Sequence, residues 1–167
     1  KLLNTMEPSA HGTLIKAEVE TTGVKAIAAK DGITAIKIKS SRMLLAYGFL
    51  RRIFEVFEKY KTPIDMITTS EVAVSVTIDD LSHLEQIQAE LESFGTVEID
   101  RNQAIICVVG NKVAETKGAV QSVLDSLIDI PVRMVSFGGS KHNVSILVDA
   151  QYKTQALKSL NEGVFTW

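Results

Sequence analysis

The same order of sequence patterns occurs twice in this chain, about seventy residues apart, and that repetition limits its possible folds more than any other feature. SVTID at 75–79 is followed seventy positions later by SILVD at 145–149, and Gly48 by Gly118. A period this long indicates duplicated domains rather than a solenoid of short repeats. In the first copy, TAIKIKS alternates Ile36 and Ile38 with Lys37 and Lys39, as a strand with one wet face does. From Gly48 to Tyr60 the apolar residues Phe49, Leu50, Ile53, Phe54, Phe57 and Tyr60 recur at helical spacing, and Thr62-Pro63 ends the helix. A strand IDMITT follows, then a tight turn and a half-buried strand alternating Val72, Val74, Val76 and Ile78. Asp79 or Asp80 is placed to cap a second helix with Leu81, Leu84, Ile87, Leu91 and Phe94 on its apolar stripe; Gly95 closes it before the strand TVEID.

The remainder repeats that order with AIICVVG, KGAVQSVLDSLI, PVRMVSF, NVSILVD and YKTQALKSLNEGVF, and lacks only a final strand. KAIAAK, which precedes the first copy and ends in an Asp31-Gly32 turn signal, is the available donor, so the first copy is expected to be inserted into the second. Each copy is then a ferredoxin-like βαββαβ unit and the class is α+β. The expected division is a connecting segment at 1–22, a first domain at 33–100, and a second built from 24–31 plus 101–167.

At 46% hydrophobic and 23% charged, 167 residues can bury one substantial core or two small ones. The net charge of −2 comes with Lys and Arg scattered among Asp and Glu, so neither nucleic acid nor an anionic membrane is an expected partner. No apolar run reaches the ~20 residues needed to span a bilayer, and the first residues lack a signal peptide's apolar stretch, which makes the cytosol the expected compartment. Cys107, the one cysteine, reads as a packed thiol. His11, His83 and His142 lack metal-ligand spacing; Ser140, His142 and Asp149 read as a polar turn before a strand rather than a triad; Gly138-Gly139 fits no phosphate-binding pattern. No cofactor, metal or catalytic activity is expected of these residues.

The polar cluster that ends IDMITTSEV is harder to assign to packing. Asp65 can accept from an ammonium, and Thr68, Thr69, Ser70 and Glu71 add polar groups beside the start of the Gly48–Tyr60 helix, whose first amides lack intrahelical acceptors and suit a carboxylate. Together they suit a free amino acid. The plainer alternative is that Asp65 pairs with a surface lysine and the hydroxyls decorate a turn.

The run RMLLAYGFLRRIFEVFEKYKTPIDMITTSEVAVSVTID resembles the first ACT domain of lysine-sensitive aspartate kinases, with M-L-x-x-x-G-F-L-x-x-[IV]-F followed by [IV]-D-x-[IV]-x-T-S-E-V. SFGGSKHNVSILV resembles the second ACT domain, and NTMEPSAHGTLI the end of the kinase catalytic domain. The resemblance implies a regulatory region that senses product and does not itself phosphorylate. It implies self-association of ACT domains, each subunit completing its neighbour's pocket. The effector would be L-lysine, with threonine or S-adenosylmethionine as alternatives. By motif, the effector contacts fall on Met43, Phe49, Leu50, Ile64, Asp65, Thr69, Ser70, Glu71 and Val72. Ala46 stands where bacterial relatives often carry serine, leaving backbone donors at Tyr47, Gly48 and Phe49. Arg133 replaces the counterpart of Asp65 in the second copy, which is expected to pack rather than to bind lysine. Outside that resemblance, an interaction module that pairs through exposed sheet edges without a ligand, or an enzyme with an unrecognised site, remains open.

Overall fold

The computed structural model describes residues 1–15, 23–40 and 47–165. Its core is one antiparallel sheet built from β1 (Gly23–Lys39), β2 (Ile67–Thr69), β3 (Ala73–Ile78), β4 (Thr96–Asn111), β5 (Val132–Ser136) and β6 (Asn143–Asp149), with α1 (Phe49–Lys59), α2 (Leu84–Glu92), α3 (Ala119–Asp125) and α4 (Lys153–Val164) between them. The strand order is β2-β3-β1-β4-β6-β5 and every pairing is antiparallel.

Two strands belong to both halves of the sheet. The second part of β1 pairs with β3 from Thr34↔Ile78 to Lys39↔Ala73, and with the start of β4 from Ala35↔Asp100 to Lys39↔Thr96. Its first part pairs with the end of β4, which pairs in turn with β6 from Gln103↔Asp149 to Val109↔Asn143. Each half is thereby a four-stranded ferredoxin-like unit with two helices, and the first part of β1 is the strand that the second unit lacks. This is the inserted arrangement expected from the repeat.

The separate strands expected on either side of Asp31-Gly32, and TVEID apart from AIICVVG, are in fact two continuous strands. Gly32 (φ 73) and Asn102 (φ 56) take left-handed conformations, and the β1–β4 register shifts between Lys30 and Ile33. A positive φ within a paired strand makes a bulge that bends it, whereas a reversal would have broken the ladder both units share.

Alternation along the strands then assigns the faces. Ile36 and Ile38 of β1 and Val74, Val76 and Ile78 of β3 pack on Phe49, Ile53, Val56 and Phe57 of α1 and Leu84, Ile87 and Leu91 of α2. Ala104, Ile106 and Val108 of β4 and Val144, Ile146 and Val148 of β6 pack on Val123 of α3 and Ala156, Leu160 and Val164 of α4. The opposite face carries a third cluster of Ile33, Ala35, Met66, Ile105, Met134 and Leu147, drawn from both units. The sheet curls around it until its terminal strands β2 and β5 approach each other. Each fully buried aliphatic side chain contributes about 1.5–3 kcal/mol to holding these layers together.

The start of α2 differs from expectation. The helix begins at Leu84 without a side-chain cap; Asp80 accepts instead from the amide (2.9 Å) and hydroxyl (2.6 Å) of Ser82, and Asp79 turns to a lysine. The short side chains satisfy a local turn before the helix can use them. Leu81 is correspondingly exposed rather than part of the buried stripe.

Candidate functional site

The residues singled out from sequence fall at two ends of β2. Helix α1 opens on Gly48 in the left-handed region (φ 83), a position where a β-carbon would be strained, with no side-chain cap and no acidic residue in its first turn. Its first amides are those an α-helix leaves without intrahelical acceptors. Phe49 anchors the helix start, buried and edge-on to Phe94 at 5.9 Å, while Arg52 lies 4.2 Å over the same ring. Tyr47 and Leu50 stay exposed beside it. Gly95, next to Phe94, approaches Ile38 and Lys39 so closely that a β-carbon would lie 3.0 Å from the Lys39 carbonyl. The helix start therefore sits over the Lys39 end of β1.

The 69–72 turn lies at that same end. The Ser70 amide donates to the Ala73 carbonyl at 2.8 Å, and the Ser40 amide to the Val72 carbonyl at 3.1 Å. Thr69, Ser70, Glu71 and Val72 are exposed, and Glu71 has no ion-pair partner among the described residues. Met43 and Ala46 lie outside the described residues.

Asp65 lies at the other end of β2 from the helix start of its own chain. It precedes β2 at a bend, with its amide bonded to the Thr77 carbonyl at 2.9 Å, whereas Thr69 pairs with Val74, three residues or about 10 Å further along β3. Beside it Ile64 is half-buried against the first core, and the Met66 amide donates to the Thr77 hydroxyl at 2.9 Å. The Asp65 carboxylate is paired with a lysine, as the plainer alternative held: Lys30 Nζ lies 2.7 Å from Asp65 Oδ1 and 2.7 Å from Asp79 Oδ2. Hydrogen bonds to Asp65 and then Asp79 hold the Lys30 ammonium above its ordinary range, and Lys30 in turn holds the Asp79 carboxyl below its own. A groove of about 270 Å³ adjoins the pair, lined by Ala28, Ala29, Met66, Ile105, Cys107 and Ser145.

Lys30 and Asp79 were not anticipated as partners of Asp65, yet the repeat held a signal. Lys30 and Asp100 are seventy positions apart, Asp65 and Arg133 are counterparts, and Arg133 pairs with Asp100. The same cross-brace thus occurs twice with its charges reversed.

At the position in the second unit equivalent to the helix start, Gly118 again opens a helix in the left-handed region (φ 79). There the preceding turn at Val113–Glu115 is tied to the β5–β6 connection by the Ala114 amide on the Lys141 carbonyl (3.1 Å) and by the Lys141–Glu115 pair (2.8 Å). Ser140 accepts from the His142 amide, His142 Nδ1 from the Lys112 amide, and Asp149 from the Gln151 amide, so these three side chains serve turns rather than one another. Cys107 is half-buried, its sulfur 3.6 Å from Asn143 Nδ2 and from Ser145 Oγ. Among the described residues no group of three His, Cys, Asp or Glu could hold a metal, and no helix is long and apolar enough to cross a membrane.

A family profile described as "ACT domain" matches residues 106–164. The chain is 46% identical to a solved structure described as a C-terminal regulatory domain of aspartate kinase from Porphyromonas gingivalis W83; the match has a TM-score of 0.77 and covers 84% of this chain and 97% of that one. It is 34% identical to the aspartokinase of Schizosaccharomyces pombe over 89% of this chain and 30% of that protein, so it spans about a third of the length of such relatives. It is also similar to Escherichia coli aspartokinase III solved in complex with lysine and aspartate in the T-state, at 28% identity and a TM-score of 0.80, covering 91% of this chain and 36% of that one. With a duplicated, interlocked fold and a regulatory domain of nearly half-identical sequence covered almost completely, the chain belongs to the family of aspartate kinase regulatory domains.

Proposed function

We propose that this chain is the effector-sensing region of an aspartate kinase, and that it binds an end-product amino acid, L-lysine, between the first units (33–100) of two copies so as to restrain phosphorylation of aspartate by the rest of the enzyme. The observation that carries this reading is the separation of Asp65 from the helix start along β2. Within one chain the two charge-complementary groups are too far apart to hold one amino acid. β2 is, however, the terminal strand of the sheet, and no strand pairs with its outer edge among the described residues. An antiparallel β2–β2 pairing of two copies centred on Ile67 sets Asp65 of the partner subunit opposite Thr69. A carboxylate-accepting helix start and an ammonium-accepting carboxylate then meet at the same end.

In that arrangement the amides after Gly48 receive the effector carboxylate. Asp65 of the partner subunit receives an ammonium, and Thr69, Ser70, Glu71 and Val72 line the space between, with Ile64 and Leu50 as apolar walls. The E. coli relative solved with lysine supports lysine as the effector. The second unit, with Arg133 at the place of Asp65 and its helix-start turn tied down through Lys141, serves packing. Inhibition follows if lysine prefers one arrangement of the paired units, because a ligand shifts an equilibrium only by its differential affinity.

Calorimetric titration of the purified chain with L-lysine, L-threonine and S-adenosylmethionine, alongside sedimentation to follow self-association, tests the proposal. Lysine is expected to bind and to favour the dimer, and Asp65→Ala to weaken binding roughly tenfold or more, as loss of a charged hydrogen bond does. Equal binding by wild type and Asp65→Ala would remove Asp65 from the site. The free β2 edge also fits a module that pairs without any ligand; in that case no amino acid would raise the melting temperature.

A further inference from the structure

We propose that Lys30 is a built-in competitor of the effector, its ammonium occupying the place on Asp65 that the effector's ammonium takes, so that binding proceeds by exchange of one ammonium for another and hands Lys30 over to Asp79. This rests on the reading of Asp65 given above and goes beyond it by naming the group displaced and where it goes. Lys30 Nζ stands midway between two carboxylates, 2.7 Å from each, so Asp65 and Asp79 lie close together with one cation between them. Two carboxylates this near repel unless a cation bridges them, and that makes the spot an ammonium site whichever ammonium fills it. The Asp65 side chain is 26% exposed and that of Lys30 47%, so the resident cation is reachable from solvent and weakly held. Asp79 remains as an anchor after displacement, which spares Lys30 from losing both partners at once.

The exchange also carries a signal. Lys30 lies on the part of β1 that completes the second unit, immediately before the bulge at Gly32, whereas Asp65 and Asp79 belong to the first. Displacing Lys30 from Asp65 leaves its brace between the units held by Asp79 alone and leaves the Arg133–Asp100 brace unchanged. An effector at the first unit therefore loosens one specific inter-unit contact beside the bend in β1.

Calorimetry on Lys30→Met, Lys30→Arg and Asp65→Asn, each first checked for an unchanged circular dichroism spectrum, separates the possibilities. Removing the competitor in Lys30→Met is expected to tighten L-lysine binding about two- to fivefold, the range set by the strength of an exposed ion pair, while Lys30→Arg, which restores the charge, stays near wild type. Wild-type affinity in Lys30→Met, with Asp65→Asn still weakened, would overturn the exchange and leave Asp65 in the effector site. Binding that is the same in wild type and Asp65→Asn, or absent from wild type, would overturn both.

Discussion

Lys30 and Asp100 occupy equivalent places in the two units with opposite charges, and each is paired with the residue that precedes a buried methionine of the opposite unit. Lys30 meets Asp65 beside Met66, and Asp100 meets Arg133 beside Met134. The two methionines and their neighbours form the apolar cluster between the units, so each ionic brace borders the same small core. Charge reversal preserves attraction within each brace.

Because these braces are exposed, their stabilisation is small. Double-mutant cycles on Lys30/Asp65 and on Asp100/Arg133, measured by urea unfolding, are expected to give coupling of about 1 kcal/mol or less for each pair, falling further in high salt. Coupling of several kcal/mol would mean that the braces, not the apolar cluster, hold the units together.

The shared strands predict cooperative unfolding. Ile36→Ala removes a fully buried side chain from the first core and Ile106→Ala one from the second. Each is expected to cost about 2–5 kcal/mol, and each to shift a single urea transition that hydrogen exchange in both units follows together. Separate transitions for the two cores would show that β1 and β4 do not couple them.

Gly48 and Gly118 offer a matched pair, since both open helices at positive φ with open space where a β-carbon would stand. Alanine at either should cost about 1–2 kcal/mol from backbone strain alone. Only Gly48→Ala is expected also to weaken effector binding, because only the first unit's helix start belongs to the proposed site. Equal effects on binding would assign a ligand role to the second unit as well.

Gly110 is constrained by space. A β-carbon there would lie 2.1 Å from the Gly23 carbonyl oxygen, backbone that a rotamer change cannot move. Gly110→Ala should destabilise by about 1–3 kcal/mol through displacement of β1 from β4, seen as a lower melting temperature.

The ion pairs set the pH limits of stability. Lys30, Lys59, Lys39 and Lys141 hold the carboxyls of Asp79, Glu90, Glu98 and Glu115 below their ordinary values of 3.8 for Asp and 4.5 for Glu. Their stabilisation is present above those values and is lost as pH falls through the depressed folded ones, since the unfolded chain then binds more protons. Lys30, Lys59 and Lys141 are raised above 10.5, so their share is complete below that pH and disappears as pH rises through the higher folded values. Melting temperature should therefore be nearly flat between these limits and decline outside both; a decline already near neutrality would point to groups other than these.

The sequence by itself determined the duplicated order of strands and helices, the apolar faces, the insertion of one unit in the other and the family. The family follows from the resemblance of the motifs at 42–79 and 136–148 to ACT domains; the rest follows from spacing along the chain: Ile36 and Ile38 alternate, Phe49, Ile53 and Phe57 recur at helical intervals, and the missing strand is an adjacent segment. Only the tertiary structure decided that Asp31-Gly32 bends β1 instead of ending it, because a left-handed residue permits either outcome and ladder partners from both units choose between them. It alone decided that Asp65 stands apart from the helix start and beside Lys30, 35 residues away in sequence. Local periodicity fixes which face a side chain occupies, whereas its partner across a curled sheet depends on where distant strands are bent.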